Sequence, residues 1–193
     1  MNKIFEILKK LKEQDTEFKK FSADFHHYKF NSPLEKDKVN EFENIYNVSL
    51  PQDYKEFIMN IGDGGFGPYY GLESLYDSIV DFKLRNKPKI AIAKDFPYTE
   101  KWDEEWISNF DWEKDIPEGN IVDEYMDVKH IQGCLEICHY GHGCTFLLVV
   151  KGKEVGNMWF DGRADYSGIY PVLNDLGSRV TFLQWYLKWL ESY

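Results

Sequence analysis

Residues 50–75 read LPQDYKEFIMNIGDGGFGPYYGLESL. Leu50-Pro51 opens a helix, and Tyr54, Phe57, Ile58 and Ile61 recur at helical spacing along one side of it. Gly62, Gly64 and Gly67 then spell G-x-G-x-x-G, the letters of a dinucleotide-binding loop. Such a loop must follow a strand and open a helix, so that the helix N-terminus faces the pyrophosphate. These glycines follow a helix instead, and no strand with an acidic end lies about twenty residues on. They read as a stop signal: Gly62 in the left-handed position after the helix, and the rest as a tight turn.

Outward from this stretch, residues 3–21 place Ile4, Ile7, Leu8, Leu11, Phe18 and Phe21 at mostly helical spacing between lysines, an amphipathic helix that one reading breaks near Asp15. Ser32-Pro33-Leu34-Glu35 has the form of a capping box: Ser32 caps, Pro33 takes the first position and Glu35 closes the box. The helix after it carries Val39, Phe42, Ile45 and Tyr46 on one side. Further on, LEICHYGHGCTFLLVVKGKEVGNMWFDGR predicts three antiparallel strands: one ending near Tyr140, one over about Cys144–Val150 and one over about Glu154–Phe160. A loop containing Pro171 follows. VTFLQWYLKWLE, residues 180–191, predicts a closing helix with Thr181 as cap and Phe182, Leu183, Tyr186, Leu187 and Leu190 inward. The middle is the least periodic part. Lys89–Lys94 (KIAIAK) reads as a short strand, and residues 95–127 as an insert packed by its own aromatics.

The chain has 193 residues, 43% apolar and 17% aromatic, with six Trp, thirteen Tyr and fourteen Phe. That suits one domain with a substantial core. The N-terminal MNKIFEILKKLKEQ is charged every few residues, unlike a signal peptide, and no window approaches a membrane span. The three cysteines, all between 134 and 144, do not form a secreted disulfide framework. A cytosolic protein is expected. The net charge is −10 and uneven. Between Glu100 and Asp127 lie eleven acids (Glu100, Asp103, Glu104, Glu105, Asp111, Glu113, Asp115, Glu118, Asp123, Glu124, Asp127) against two bases, Lys101 and Lys114. Such a surface repels nucleic acid and suits a basic partner, although acidic loops also serve simply to keep an aromatic-rich chain soluble.

Residues that could carry chemistry are present but poorly arranged. His130, Cys134, Cys138, His139, His142 and Cys144 have the atoms zinc takes, but no paired C-x-x-C spacing. On a strand, Cys138 and His139 point to opposite faces, so the Cys–His pair is not a nucleophile with its base. Ser167 lacks an elbow motif. Asp161 and Asp165 beside Arg163 read as a salt-bridged loop. No catalytic residue, metal or cofactor is assigned. Among the tryptophans, Trp159 on its strand reads as core. Trp102, Trp106 and Trp112 sit among the acids, where Trp102 and Trp106 suit core and interface anchor equally well.

Taken together, several motifs resemble the SUKH superfamily (Smi/Knr-like), the domain first described in fungal cell-wall-assembly regulators. They are Glu41-Phe42-Glu43, the helix with Leu50, Pro51, Tyr54, Lys55 and Phe57, the turn with Gly64, Gly65, Phe66 and Gly67, the strand with Gly156 and Trp159, and the closing helix with Trp185. The likeness spans about residues 33–191 and covers the central insert least well. It implies an α+β domain, a mainly antiparallel sheet with helices packed against it, in which the Gly-Gly turn is structural and binds no phosphate. It implies no shared catalytic set. Many bacterial members are regarded as immunity proteins that bind and neutralise polymorphic toxins, often nucleases. The expected function is therefore toxin binding by an acidic, Trp-containing face: Trp102, Asp103, Glu104, Glu105, Trp106, Asp123 and Glu124. A regulatory scaffold like the fungal relatives is the alternative, and an unrecognised hydrolase or metalloprotein using residues 130–144 is a third.

Overall fold

The computed structural model describes residues 2–79, 90–109 and 119–192. Among these, seven α-helices surround a four-stranded sheet. The helices are α1 (Asn2–Gln14), α2 (Ala23–His26), α3 (Lys36–Tyr46), α4 (Gln52–Asn60), α5 (Glu105–Asn109), α6 (Gly119–Tyr125) and α7 (Phe182–Ser192). The strands are β1 (Cys134–Gly141), β2 (Cys144–Val149), β3 (Met158–Asp161) and β4 (Ile169–Pro171). All neighbours are antiparallel, in the order β1-β2-β3-β4. The expected α+β architecture is the observed one. No helix among the described residues is long and apolar enough to cross a membrane.

Every residue of β2 and β3 is buried, so both faces of the sheet are covered. Register assigns the faces. Phe146 pairs with Phe160, which pairs with Tyr170; Leu147 pairs with Trp159, which pairs with Pro171. Side chains alternate along a strand, so these rows point opposite ways. The Phe146 row meets Trp185 of α7 at 5.1 Å between ring centroids. Behind α7 lies α4, with Phe57 edge-on to Phe182 at 5.0 Å and to Tyr186 at 4.9 Å. The Trp159 row meets Phe96, from the start of the insert, at 4.9 Å. Helices cover one face and the insert covers the other.

The Gly-Gly turn is a crossing point of the chain. Gly65 bridges Phe30 on one side and Leu72 on the other. Its N–H donates to Leu72 O at 2.8 Å, and the next N–H, of Phe66, donates to Lys29 O at 2.8 Å. These donors are engaged by the protein's own backbone, which is why the loop makes no phosphate cradle. Gly64 and Gly65 have φ of +87° and +94°. Gly62 differs from expectation, because it is not left-handed; a side chain there would meet Phe30 Cβ at 2.5 Å. Glu43 joins the two signature helices: its carboxylate accepts from Leu50 N–H at 2.7 Å and pairs with Lys55 Nζ at 2.7 Å.

Other expectations shift. α1 does end at Gln14, and Asp15 takes the N–H groups of Lys19 and Lys20 and the Tyr28 hydroxyl. α3 starts at Lys36 rather than after Ser32, because residues 30–34 are extended and tied to α4, with Leu34 N–H donated to Ile58 O at 2.9 Å. Ile45 faces solvent at 62% exposure. β3 is shorter than predicted. Gly156, at φ +91°, turns the chain back onto Val149 O before the strand begins. β4 was expected as loop. Its three residues gave too short a pattern to read. Lys89 lies outside the described residues, and Ile90–Lys94 is a turn rather than a strand, with Ile90 and Ile92 buried. At α7, Thr181 N–H donates to Gln184 Oε1 at 3.0 Å, and Asp53 Oδ2 of α4 accepts Leu183 N–H at 3.0 Å.

Gly65→Ala adds a Cβ 2.6 Å from Lys29 O at a left-handed φ, whereas Gly177, at φ +76°, has open space around it. Urea unfolding should register about 1–2 kcal/mol for Gly177→Ala and distinctly more for Gly65→Ala, because backbone clash adds to strain. His26 is buried, with Nδ1 accepting Tyr28 N–H at 3.1 Å and its ring edge-on to Phe66. Burial pushes its pKa down to about 4. The unfolded state then binds more protons below about pH 6.5. Its stabilisation is complete above that pH and is lost as pH falls toward 4. His26→Phe should flatten that part of a stability–pH profile.

Candidate functional site

The insert carries most of the net negative charge, yet it packs against a buried sheet face, so something must hold it there. Part of the hold is backbone. Trp102 and Ile169 exchange two N–H···O bonds of 2.8 Å, adding one rung outside β4. Part is aromatic. The Trp102 ring stacks on His130 at 4.1 Å, on Tyr98 at 5.1 Å and on Tyr125 at 5.5 Å. Trp106 meets Tyr125 edge-on at 5.8 Å.

The rest is one cation. Arg163, 2% exposed, forks onto Asp161, with Nε to Oδ1 at 2.8 Å and Nη2 to Oδ2 at 2.7 Å. Its Nη1 donates to the carbonyls of Tyr125 and Asp127, each at 2.9 Å. All three guanidinium nitrogens are thus bonded, which a buried charge requires. Asp161 ends β3, and the carbonyls belong to the last residue of α6 and to the turn just after it, so the pair clamps the insert to the sheet. The salt-bridged loop expected here is real for Asp161. Asp165 instead accepts from the Cys144 thiol at 3.4 Å.

Tyr125 extends the clamp. Its hydroxyl donates to Asp103 Oδ1 at 2.9 Å and accepts Gly168 N–H at 3.0 Å. Burial, and then the bond to Asp103, push its pKa above the usual phenol range. His130 Nε2 lies 3.1 Å from Glu124 O, so it carries the proton, and Nδ1 accepts from the Tyr98 hydroxyl. Burial and the nearby Arg163 hold this imidazole below its ordinary pKa, and it is neutral at pH 7.

The residues singled out in the sequence divide into two groups. Trp102 and Asp103 are half-buried and engaged in the clamp. Glu105, Asp123 and Glu124 are exposed, and Glu104 and Trp106 are half-buried beside them. Glu104, Trp106, Asn120, Ile121, Glu124 and Tyr125 line a groove of about 280 Å³ between α5 and α6. Trp112 and the acids Asp111, Glu113, Asp115 and Glu118 lie outside the described residues. Sequence reading missed Tyr125 and His130 as parts of the clamp. Nothing local marks them, because Tyr125 bonds Asp103, Arg163 and Gly168 and His130 bonds Tyr98, partners 22 to 43 residues away.

The His/Cys cluster is dispersed by the same packing. His130 lies in the aromatic stack, His142 is exposed at the β1–β2 turn, and His139 faces Glu73 at 3.6 Å. Among the described residues no group of three or more His, Cys, Asp or Glu is placed to hold a metal ion. All three thiols are buried. Burial drives Cys134 and Cys138 well above the usual thiol pKa and Cys144 to about 11, with Asp165 adding to the last. They are neutral thiols rather than nucleophiles at pH 7.

With the fold and this site in place, comparison with known proteins is specific about family. The SMI1 / KNR4 family (SUKH-1) matches residues 33–178. The chain belongs to that family. No curated protein and no solved structure gives a significant match.

The clamp makes a stability prediction. Arg163→Met leaves Asp161 buried without its cation and should cost about 3–5 kcal/mol in urea unfolding. The double variant Arg163→Met/Asp161→Leu should recover a large part of that loss. A double variant as unstable as the single one would show that the carbonyl contacts, not the ion pair, carry the clamp.

Proposed function

We propose that this chain is a non-enzymatic cytosolic binding protein that neutralises a basic toxin domain by covering it. The observation that carries this reading is the described part of the acidic insert, pinned to the sheet by Arg163, with Glu105, Asp123 and Glu124 exposed and Glu104 half-buried beside a groove that Trp106 helps to line. A preorganised acidic surface loses little entropy on binding and accelerates encounter with a basic one. Nuclease active sites are basic because they bind phosphates, so such a face competes with their substrate. Membership of a SUKH family supports a protein-binding role. The buried, neutral thiols and the bonded Arg163–Asp161 pair support the absence of catalysis.

A second reading, a regulatory scaffold for an endogenous partner, is favoured by a different patch. Phe21 and Phe25 are 62% and 67% exposed, and both pack edge-on against Tyr70. Exposed aromatic groups of this kind mark protein contacts.

The test is growth rescue by co-expression with the C-terminal domain encoded by the neighbouring gene. Survival, with a complex that co-purifies, is the expected result. Replacing Glu104, Glu105, Asp123 and Glu124 by Lys should slow association about tenfold or more at low salt and flatten its salt dependence. Asp103 stays intact in that variant, because its carboxylate holds Tyr125. Rescue and kinetics indifferent to the four reversals would move the interface elsewhere. A harmless neighbour would favour the scaffold.

A further inference from the structure

We propose that the groove between α5 and α6 is a seat for an arginine side chain of the partner. This deepens, and rests on, the reading of the insert as a binding face. The groove combines what a guanidinium needs. Its rim holds two carboxylates, Glu104 just before α5 and Glu124 on α6, and its wall includes the half-buried Trp106 ring and the apolar side chain of Ile121, with the buried Tyr125 beneath. A guanidinium is planar, weakly hydrated and forked, so it stacks on an aromatic ring while donating to carboxylates on either side. Its three-methylene stem matches the apolar wall. An ammonium, compact and strongly hydrated, uses only the charge.

The rim already attracts a cation. Lys129, from the turn after α6, reaches back and bonds Glu124. That bond is the first cause of the raised pKa of its ammonium, and the charges of Asp127 and Glu104 add to it. The resident lysine therefore senses both carboxylates that line the groove. It is exposed, with nearly half of its side chain in water, so its ion pair is weak and exchangeable. The floor is firm. The Tyr125 hydroxyl is held by Asp103 and Gly168, and its carbonyl by Arg163. An entering side chain meets a formed surface rather than one it must build.

The test needs no toxin. N-acetyl-arginine amide is titrated into the full chain at constant ionic strength, following the Trp106 indole N–H resonance, identified by its loss in Trp106→Phe. Saturable shifts are expected, with N-acetyl-lysine amide about threefold weaker. Glu104→Gln and Glu124→Gln should each weaken the arginine amide about threefold, the size of one exposed charge contact. Asp175→Asn, in the turn before α7, should leave it unchanged. No saturable shift, equal affinity for the two amides, or indifference to both Gln variants overturns the proposal. Its failure is separable from failure of the immunity reading. Growth rescue without arginine binding removes the seat and keeps the function; arginine binding without rescue keeps the seat and assigns it to another partner.

Discussion

The constraint on which this molecule depends is that the strands β2 and β3 bury both their faces. A sheet of four strands with one helical layer would leave Leu147 and Trp159 in water. The second cover is the insert, and it is the most acidic part of the chain. Two demands therefore meet in one segment. It must be apolar enough inward to seal Trp159 and charged enough outward to stay in solution. Phe96, Tyr98 and Trp102 meet the first demand, and the glutamates of α5 and α6 meet the second.

Joining such a segment to a core takes a bond that tolerates negative charge, and Arg163 supplies it. Its location is economical in chain terms. The residue follows β3 by a single glycine, so the sheet positions Asp161 and Arg163 together, and the guanidinium reaches out to the carbonyls at the end of α6. Carbonyls accept from a cation without adding charge of their own. The insert can thus vary its exposed residues without disturbing the clamp, because its part in the clamp is the backbone of Tyr125 and Asp127, the Tyr125 hydroxyl, the Asp103 carboxylate and the Trp102 ring.

Much of the frame was legible in the sequence. The LP-helix, the glycine turn, the strand pairs and the closing helix follow from periodicity and turn chemistry, which act over a few residues. The errors have local causes. Ser32 looked like a cap because a capping box is a pattern of letters, but the preceding residues were already committed to pairing with Gly65. β4 was invisible because three residues cannot establish a period. Gly62 was assigned the left-handed backbone that Gly64 and Gly65 carry, because the helix ends with Ile61 still right-handed. The site was legible in composition and not in geometry. The run of acids and tryptophans announced a surface, but which carboxylate faces water is decided by Tyr125. That residue takes Asp103 inward, while Glu105, Asp123 and Glu124 are exposed and Glu104 is half-buried.

The rung between Trp102 and Ile169 has a meaning for the life of the protein in a crowded cell. β4 is one of the two edges of the sheet, β1 being the other, and alternate backbone groups along it point outward. Ile169 points its pair at Trp102, and Pro171, two residues on, has no N–H to offer. The edge is blunted at both outward positions, once by tertiary structure and once by covalent chemistry, which denies neighbouring chains a template for strand addition. Only the first of these is reversible. Any opening that lifts the insert uncovers Trp159, unpairs Ile169 and strips the display face in a single event. Solubility and sheet integrity are therefore one cooperative unit, and a lesion in the insert is felt as aggregation.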